Sequence, residues 1–121
     1  MHSINLLDKL QQIAPDEFWQ PKVIGDLNNY QIKLVRLQGE FVWHDHADTD
    51  ELFLCVEGEF EMHYQDHIEA VRTGEMVVVP KGVAHKPVAH GPCSVLLIEP
   101  VGVVNTGATQ SDLTAPQDVR I

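Results

Sequence analysis

The stretch "HDHADTDELFLCVEG", His44 to Gly58, sets two imidazoles and a carboxylate beside a solid apolar run. His44 and His46 lie two residues apart, and on a strand that spacing sends both side chains to one face. The acidic turn "ADTD" then reverses the chain, and Glu51 opens the next strand. A third imidazole, His85, follows "PKGVA" after the strand "EMVVV". Neutral imidazoles and a carboxylate suit divalent Fe, Mn, Ni, Zn or Cu, and four protein ligands leave room for water or substrate on a six-coordinate metal. Only neutral imidazoles ligate, so affinity is expected to fall as pH drops through roughly 6.5.

These side chains need rigid strands to hold them. From Lys22 onward the sequence is short runs of Val, Ile, Leu and aromatics broken by turn signals such as "GDLNN", "QGE", "EGE", "RTGE" and "PKG". That spacing predicts an all-β sandwich or barrel. A helix is expected over about residues 3–13, capped by Ser3, with Leu6, Leu7, Leu10 and Ile13 on one stripe and Pro15 as its stop. The tail over about residues 105–121 reads as irregular chain wrapping the domain or a partner. With no repeat and no linker, residues 1–121 read as a single domain whose core spans about 30–100.

A two-residue turn at Glu57–Gly58 would pair Val56 with Glu59 and Phe53 with Met62. One face then carries Glu51, Phe53, Cys55, Phe60, Met62 and Tyr64, and should line the interior. Phe53, Phe60, Met62 and Tyr64, with Val42 above His44, would form a narrow, dry pocket. The opposite face (Leu52, Leu54, Val56) is also apolar, which suggests cover by the helix or by a second subunit in a homodimer.

The full text is Gly39-x4-His44-x-His46-x4-Glu51-x6-Gly58, then Gly74-x5-Pro80-x-Gly82-x2-His85. These blocks resemble the two motifs of the cupin superfamily, in its small single-domain "cupin 2" type. Gly39 sits one residue nearer His44 than the first motif has it, and Ala89 replaces the Asn closing the second. The resemblance covers roughly Tyr30 to Pro100. It implies a cupin-type jelly-roll β-barrel with His44, His46, Glu51 and His85 at the metal-binding positions, holding one divalent Fe, Mn, Ni or Zn.

The remaining polar residues read more plainly. His63, His67 and His90 belong to the surface, Cys55 to the core, and Trp43 to packing away from His44. Asp45, Asp48 and Asp50 form a solvated turn. Arg36 faces the pocket if its strand runs straight through Gly39, and faces outward if the strand bulges there.

The chain is acidic, with 18 Asp and Glu against 8 Lys and Arg for a formal charge of −10, and lacks a basic patch for nucleic acid. No apolar stretch approaches a membrane span, the first residues lack a secretory pattern, and two cysteines without C-x-x-C spacing argue against a disulfide scaffold. The expectation is a cytoplasmic protein with a small-molecule substrate or ligand. Iron-dependent dioxygenase-type chemistry is the leading functional reading. Its alternatives are a non-catalytic metal or ligand-binding module and an isomerase or lyase, which would need an added base such as Tyr64.

Overall fold

The computed structural model describes residues 1–121. One helix, α1 (Leu6–Gln11), precedes seven strands: β1 (Lys22–Leu27), β2 (Tyr30–Glu40), β3 (Glu51–Glu57), β4 (Glu59–Tyr64), β5 (Ile68–Arg72), β6 (Met76–Val79) and β7 (His85–Pro100). The architecture is the expected all-β barrel with one short helix. No helix is long and apolar enough to cross a membrane.

The helix is shorter than expected, and its cap is Asn5, whose side chain accepts from the Asp8 N–H at 3.0 Å. Six residues make less than two turns, so a single line of side chains reaches the sheet. Leu10 and Ile13 are buried on it, whereas Leu7 points into solvent.

β7 organises the rest. It is flanked by β2 along nearly its whole length, from Tyr30↔Pro100 to Glu40↔Val88. On its other side lie β3, from Leu52↔Ile98 to Glu57↔Ser94, and then β4, from Glu61↔Val88 to Tyr64↔His85. β3 and β4 therefore run on as one bent ribbon along β7, and the hairpin expected at Glu57–Gly58 does not form. The reason is local. A two-residue hairpin of type I′ needs two left-handed residues in succession, and here only Gly58 has one, at φ 78°. A Cβ at Gly58 would lie 2.8 Å from the Pro92 carbonyl oxygen, so glycine permits the ribbon to bend against β7. The bend shifts side-chain parity as a hairpin would, so Glu51, Phe53, Cys55, Phe60 and Met62 still point inward and are buried.

β1 pairs with β2, β5 with β4, and β6 with β3. The main core joins Val35, Leu37, Phe53, Phe60, Met62, Val95 and their neighbours inside the barrel. Cys55 and Cys93 belong to it as free thiols, with Sγ atoms 3.8 Å apart. A second cluster lies outside, where α1 covers Leu34 and Leu96, with Leu54 and Val56 packed at its margin.

Candidate metal centre

His44 and His85 lie directly opposite each other on antiparallel chain segments. Their backbones exchange two hydrogen bonds, His44 N–H to His85 O at 3.1 Å and His85 N–H to His44 O at 2.9 Å. The loop before β7 is tied to the first histidine segment by the Gly82 N–H donating to His46 O at 2.8 Å. The Lys81 N–H donates to Asp50 Oδ1 at 2.9 Å. These ties bring the two sequence blocks into one site.

His44, His46, Glu51 and His85 are all buried, and each offers one ligand atom lying within 4.8 Å of the other three. Two ring orientations are fixed from behind. His44 Nδ1 is 2.9 Å from Val42 O and His85 Nδ1 is 2.9 Å from Val83 O. A backbone carbonyl only accepts, so each Nδ1 carries the proton and each Nε2 presents its lone pair to the centre. His46 Nε2, His85 Nε2 and Glu51 Oε1 are buried without hydrogen-bond partners, although the Glu51 oxygen is only 3.4 Å and 3.6 Å from the two nitrogens. Orphaned buried polar atoms of this kind are costly unless something completes them. A divalent transition metal fits: three N donors and one O donor converge, all facing inward.

Electrostatics agree with that fit. Burial, and then the nearby His85, lower the His44 imidazole to about 4. Burial pushes the Glu51 carboxyl up, but its neighbours Glu99, His46 and His85 override that and hold it well below the usual range. For His44 the sign is plain: the unfolded ring takes its proton near 6.5 and the folded ring only near 4. Its contribution to stability, roughly 3 kcal/mol, is thus complete above the higher value and lost as pH falls to the lower. An NMR titration of the metal-free protein should show the His44 ring neutral down to about pH 4. A midpoint near its ordinary value would refute the buried, neutral ring.

A cavity of about 30 Å³ adjoins the cluster, lined by His44, Glu51, Phe53, Trp19, Phe41 and Glu99 among others. Of the four pocket residues expected from sequence, only Phe53 is among its lining. Phe60 and Met62 are core residues, and Tyr64 lines a wide groove between β5 and β6. Arg36 faces outward: β2 bulges between Leu37 and Gly39, and the guanidinium donates to the Leu10 carbonyl at 2.6 Å, at the end of α1. His63, His67 and His90 each pair with an acidic neighbour on the surface.

The sequence reading missed Trp19, Lys33 and Glu99. Trp19 adopts φ 63°, a left-handed backbone that costs a bulky residue of order 1–3 kcal/mol. Its ring stacks on Phe41 at 4.7 Å, and its Nε1–H donates to Gln38 O at 2.9 Å. Lys33 Nζ donates to Glu99 Oε1 at 2.8 Å, with both side chains 1% exposed. Burial and the adjacent Glu51 carboxylate raise the Glu99 carboxyl, against the pull of Lys33.

The C-terminal tail presses on the centre from outside. Gly107, at φ 60°, packs so closely on the Asp45 backbone carbonyl that a Cβ would overlap it. Asp45 lies between two cluster histidines. Gly107→Ala should therefore cost about 1–2 kcal/mol in backbone strain alone and also weaken zinc binding. Thermal melts with and without zinc would show this, and an unchanged zinc-bound melting temperature would disprove it.

The cupin domain model of the Cupin_2 type matches residues 33–99. A cupin-2 domain containing protein from Shewanella frigidimarina NCIMB 400 is 47% identical, with a TM-score of 0.78 over 80% of this chain and 93% of that one. Protein NMB1881 from Neisseria meningitidis is 39% identical, with a TM-score of 0.74 over 82% and 99%. The uncharacterized protein YdbB of Bacillus subtilis (strain 168) is 36% identical over 64 residues, 52% of this chain and 57% of that protein, so the match spans less than two thirds of that relative. At the level of fold alone, hydroquinone 1,2-dioxygenase PnpCD, in complex with Cd2+ and 4-hydroxybenzonitrile, is 17% identical with a TM-score of 0.69 over 97% and 76%. Motif, barrel and relatives agree: the chain belongs to the cupin domain family.

Proposed function

We propose that this cupin is a metal-dependent enzyme of dioxygenase type acting on a small organic molecule, with His44, His46, Glu51 and His85 as the metal ligands. The observation that carries the reading is a buried set of three imidazoles and one carboxylate, two of whose members, His44 and Glu51, line an aromatic cavity. A divalent Fe, Mn, Ni or Zn bound there would supply Lewis acidity and, in the case of iron, redox chemistry with dioxygen. The chain's own contributions are distinct. Val42 and Val83 carbonyls hold two rings in the tautomer that points Nε2 inward. Phe41, Phe53 and Trp19 exclude water, which strengthens every electrostatic interaction inside. A fold shared with a dioxygenase is compatible with the reading and does not by itself decide it.

The test is metal analysis of protein expressed without added metal, followed by oxygen-uptake screening of small carbonyl and phenolic compounds with Fe, Mn, Ni and Zn forms. Oxygen uptake by one form supports the reading. Turnover without oxygen uptake would favour an isomerase or lyase instead. Ligand-induced stabilisation with no turnover by any form would replace the enzyme with a binding module.

We further propose a homodimer. Leu54 and Val56 pack at the margin of the α1 cluster, so the apolar surface in need of cover shifts toward β6. There Leu52 neighbours Val78 and Leu54 neighbours Met76, with Val78 46% and Met76 61% exposed. A two-fold contact across this patch would cover it. Light scattering that finds a monomer at tens of micromolar would rule this out.

A further inference from the structure

We infer that Glu99 is a specificity-determining residue of the cavity, its free oxygen receiving a hydroxyl group of a small, flat, largely apolar ligand whose other oxygen faces the metal cluster. The inference rests on the metal-site reading above.

Glu99 follows Val95 and Leu97 on the inward face of β7 and lines the same cavity as His44 and Glu51. One of its oxygens is engaged by Lys33. The other, Oε2, is buried and has no hydrogen-bond partner of ordinary geometry, although the Glu51 carboxylate lies beside the Glu99 carboxyl and would share any proton it carries. A carboxyl group in an apolar barrel is expensive to keep half-satisfied, and a lysine beneath it adds a second buried charge. Packing alone would be served better by two aliphatic residues. The arrangement makes sense if the open oxygen is completed by a ligand.

The chemistry of that ligand follows from the walls. Trp19, Phe41 and Phe53 present flat apolar surface, which favours a ring over a polyhydroxylated chain whose extra hydroxyls would lack partners. Glu51 and Glu99 make the inner end acidic, so a second carboxylate on the ligand is disfavoured there. A hydroxyl is suited to Oε2 because it both donates and accepts, and so pairs with the carboxyl group in either protonation state. The class is therefore a single ring carrying a hydroxyl and a second oxygen. At about 30 Å³ the cavity holds little more than a water molecule, so the proposed ring must displace the Trp19 side chain that stacks on Phe41.

The experiment uses the zinc-loaded full chain, since zinc is redox-silent and keeps diphenols intact. Binding of the three isomeric dihydroxybenzenes and their monomethyl ethers is measured by calorimetry, in wild type and in the Lys33→Met/Glu99→Leu double variant. Wild type should bind its best dihydroxybenzene about tenfold or more tightly than the matching ether, because methylation removes a donor from one of the two contacts. In the double variant that ratio should fall to within about two- to threefold, with zinc binding retained. Tryptophan fluorescence should shift on binding in wild type. The inference is overturned if the double variant keeps the preference, or if zinc-loaded wild type binds none of the diphenols. Failure of wild type to hold zinc would overturn the metal-site reading and this inference with it.

Discussion

Glu51→Gln should lower zinc affinity about a hundredfold or more while the metal-free protein melts at the same temperature or higher. Glu51 supplies the sole carboxylate of the cluster and is 4% exposed. Its Oε1 lies between His46 and His85 with no hydrogen-bond partner. Removing that charge deprives the cation of its strongest electrostatic partner in a water-poor site, where each charge counts for more than in bulk water. Losing a group that merely supports a ligand costs 10–100-fold in affinity, so losing a charged ligand should cost at least the upper end of that range. Without metal the sign reverses. The amide keeps the volume, carries no charge to desolvate, and can donate to imidazole lone pairs that the carboxylate leaves unsatisfied. Calorimetric zinc titration together with thermal melts separates the two effects. Undiminished zinc affinity would remove Glu51 from the ligand set, whereas an unfolded variant would make it a structural residue.

Glu99→Leu alone should lower the melting temperature by roughly 10–20 °C, and adding Lys33→Met should restore most of the loss. The single change leaves the Lys33 ammonium without its acceptor in a site that is 1% exposed. Breaking one side of such a pair typically costs about 3–5 kcal/mol, whereas replacing both sides with apolar groups of similar size is often neutral or favourable. The two residues are in contact, so their effects should be strongly non-additive. A double variant as unstable as Glu99→Leu would show that neighbours other than Lys33 set the cost.

The grouping of His44, His46 and Glu51 was legible in the sequence because its geometry is local, whereas His85 joined them through the cupin-like second motif. Two residues apart on a strand is one face, and Glu51 and His85 each stand beside a turn whose glycines, prolines or aspartates mark it. The inward faces of β3 and β4 were legible for the same reason, since alternation survives an error in pairing. What lay beyond reach was which strands meet. Nothing in "EGE" says whether the chain reverses or merely bends, because that depends on the Pro92 carbonyl across the sheet. Glu99 was overlooked although its parity with Val95 and Leu97 marks it as inward, and Lys33 shares the parity of Val35 and Leu37. A charged residue at the end of an apolar strand is read by habit as its exposed boundary. Trp19 falls between the helix and β1 in a segment with no periodicity, so only the folded chain shows what it covers. The bulge at Gly39, which turns Arg36 outward, was foreseen as one of two outcomes and needed the structure to choose.

The placement of β7 bears on the order in which the chain folds. This strand touches β2, β3 and β4, and its partners are distant in sequence, as Tyr30↔Pro100 shows. Closing such long loops is slow, so folding should be limited by the docking of β7, with little productive structure before it. His85 is the first residue of that strand, and it meets His44 only once docking has occurred. In refolding experiments with zinc present, metal capture should therefore arrive as a late kinetic phase that coincides with the final rise in native sheet signal. Fast capture ahead of that rise would mean that the histidines assemble without the strand that carries one of them.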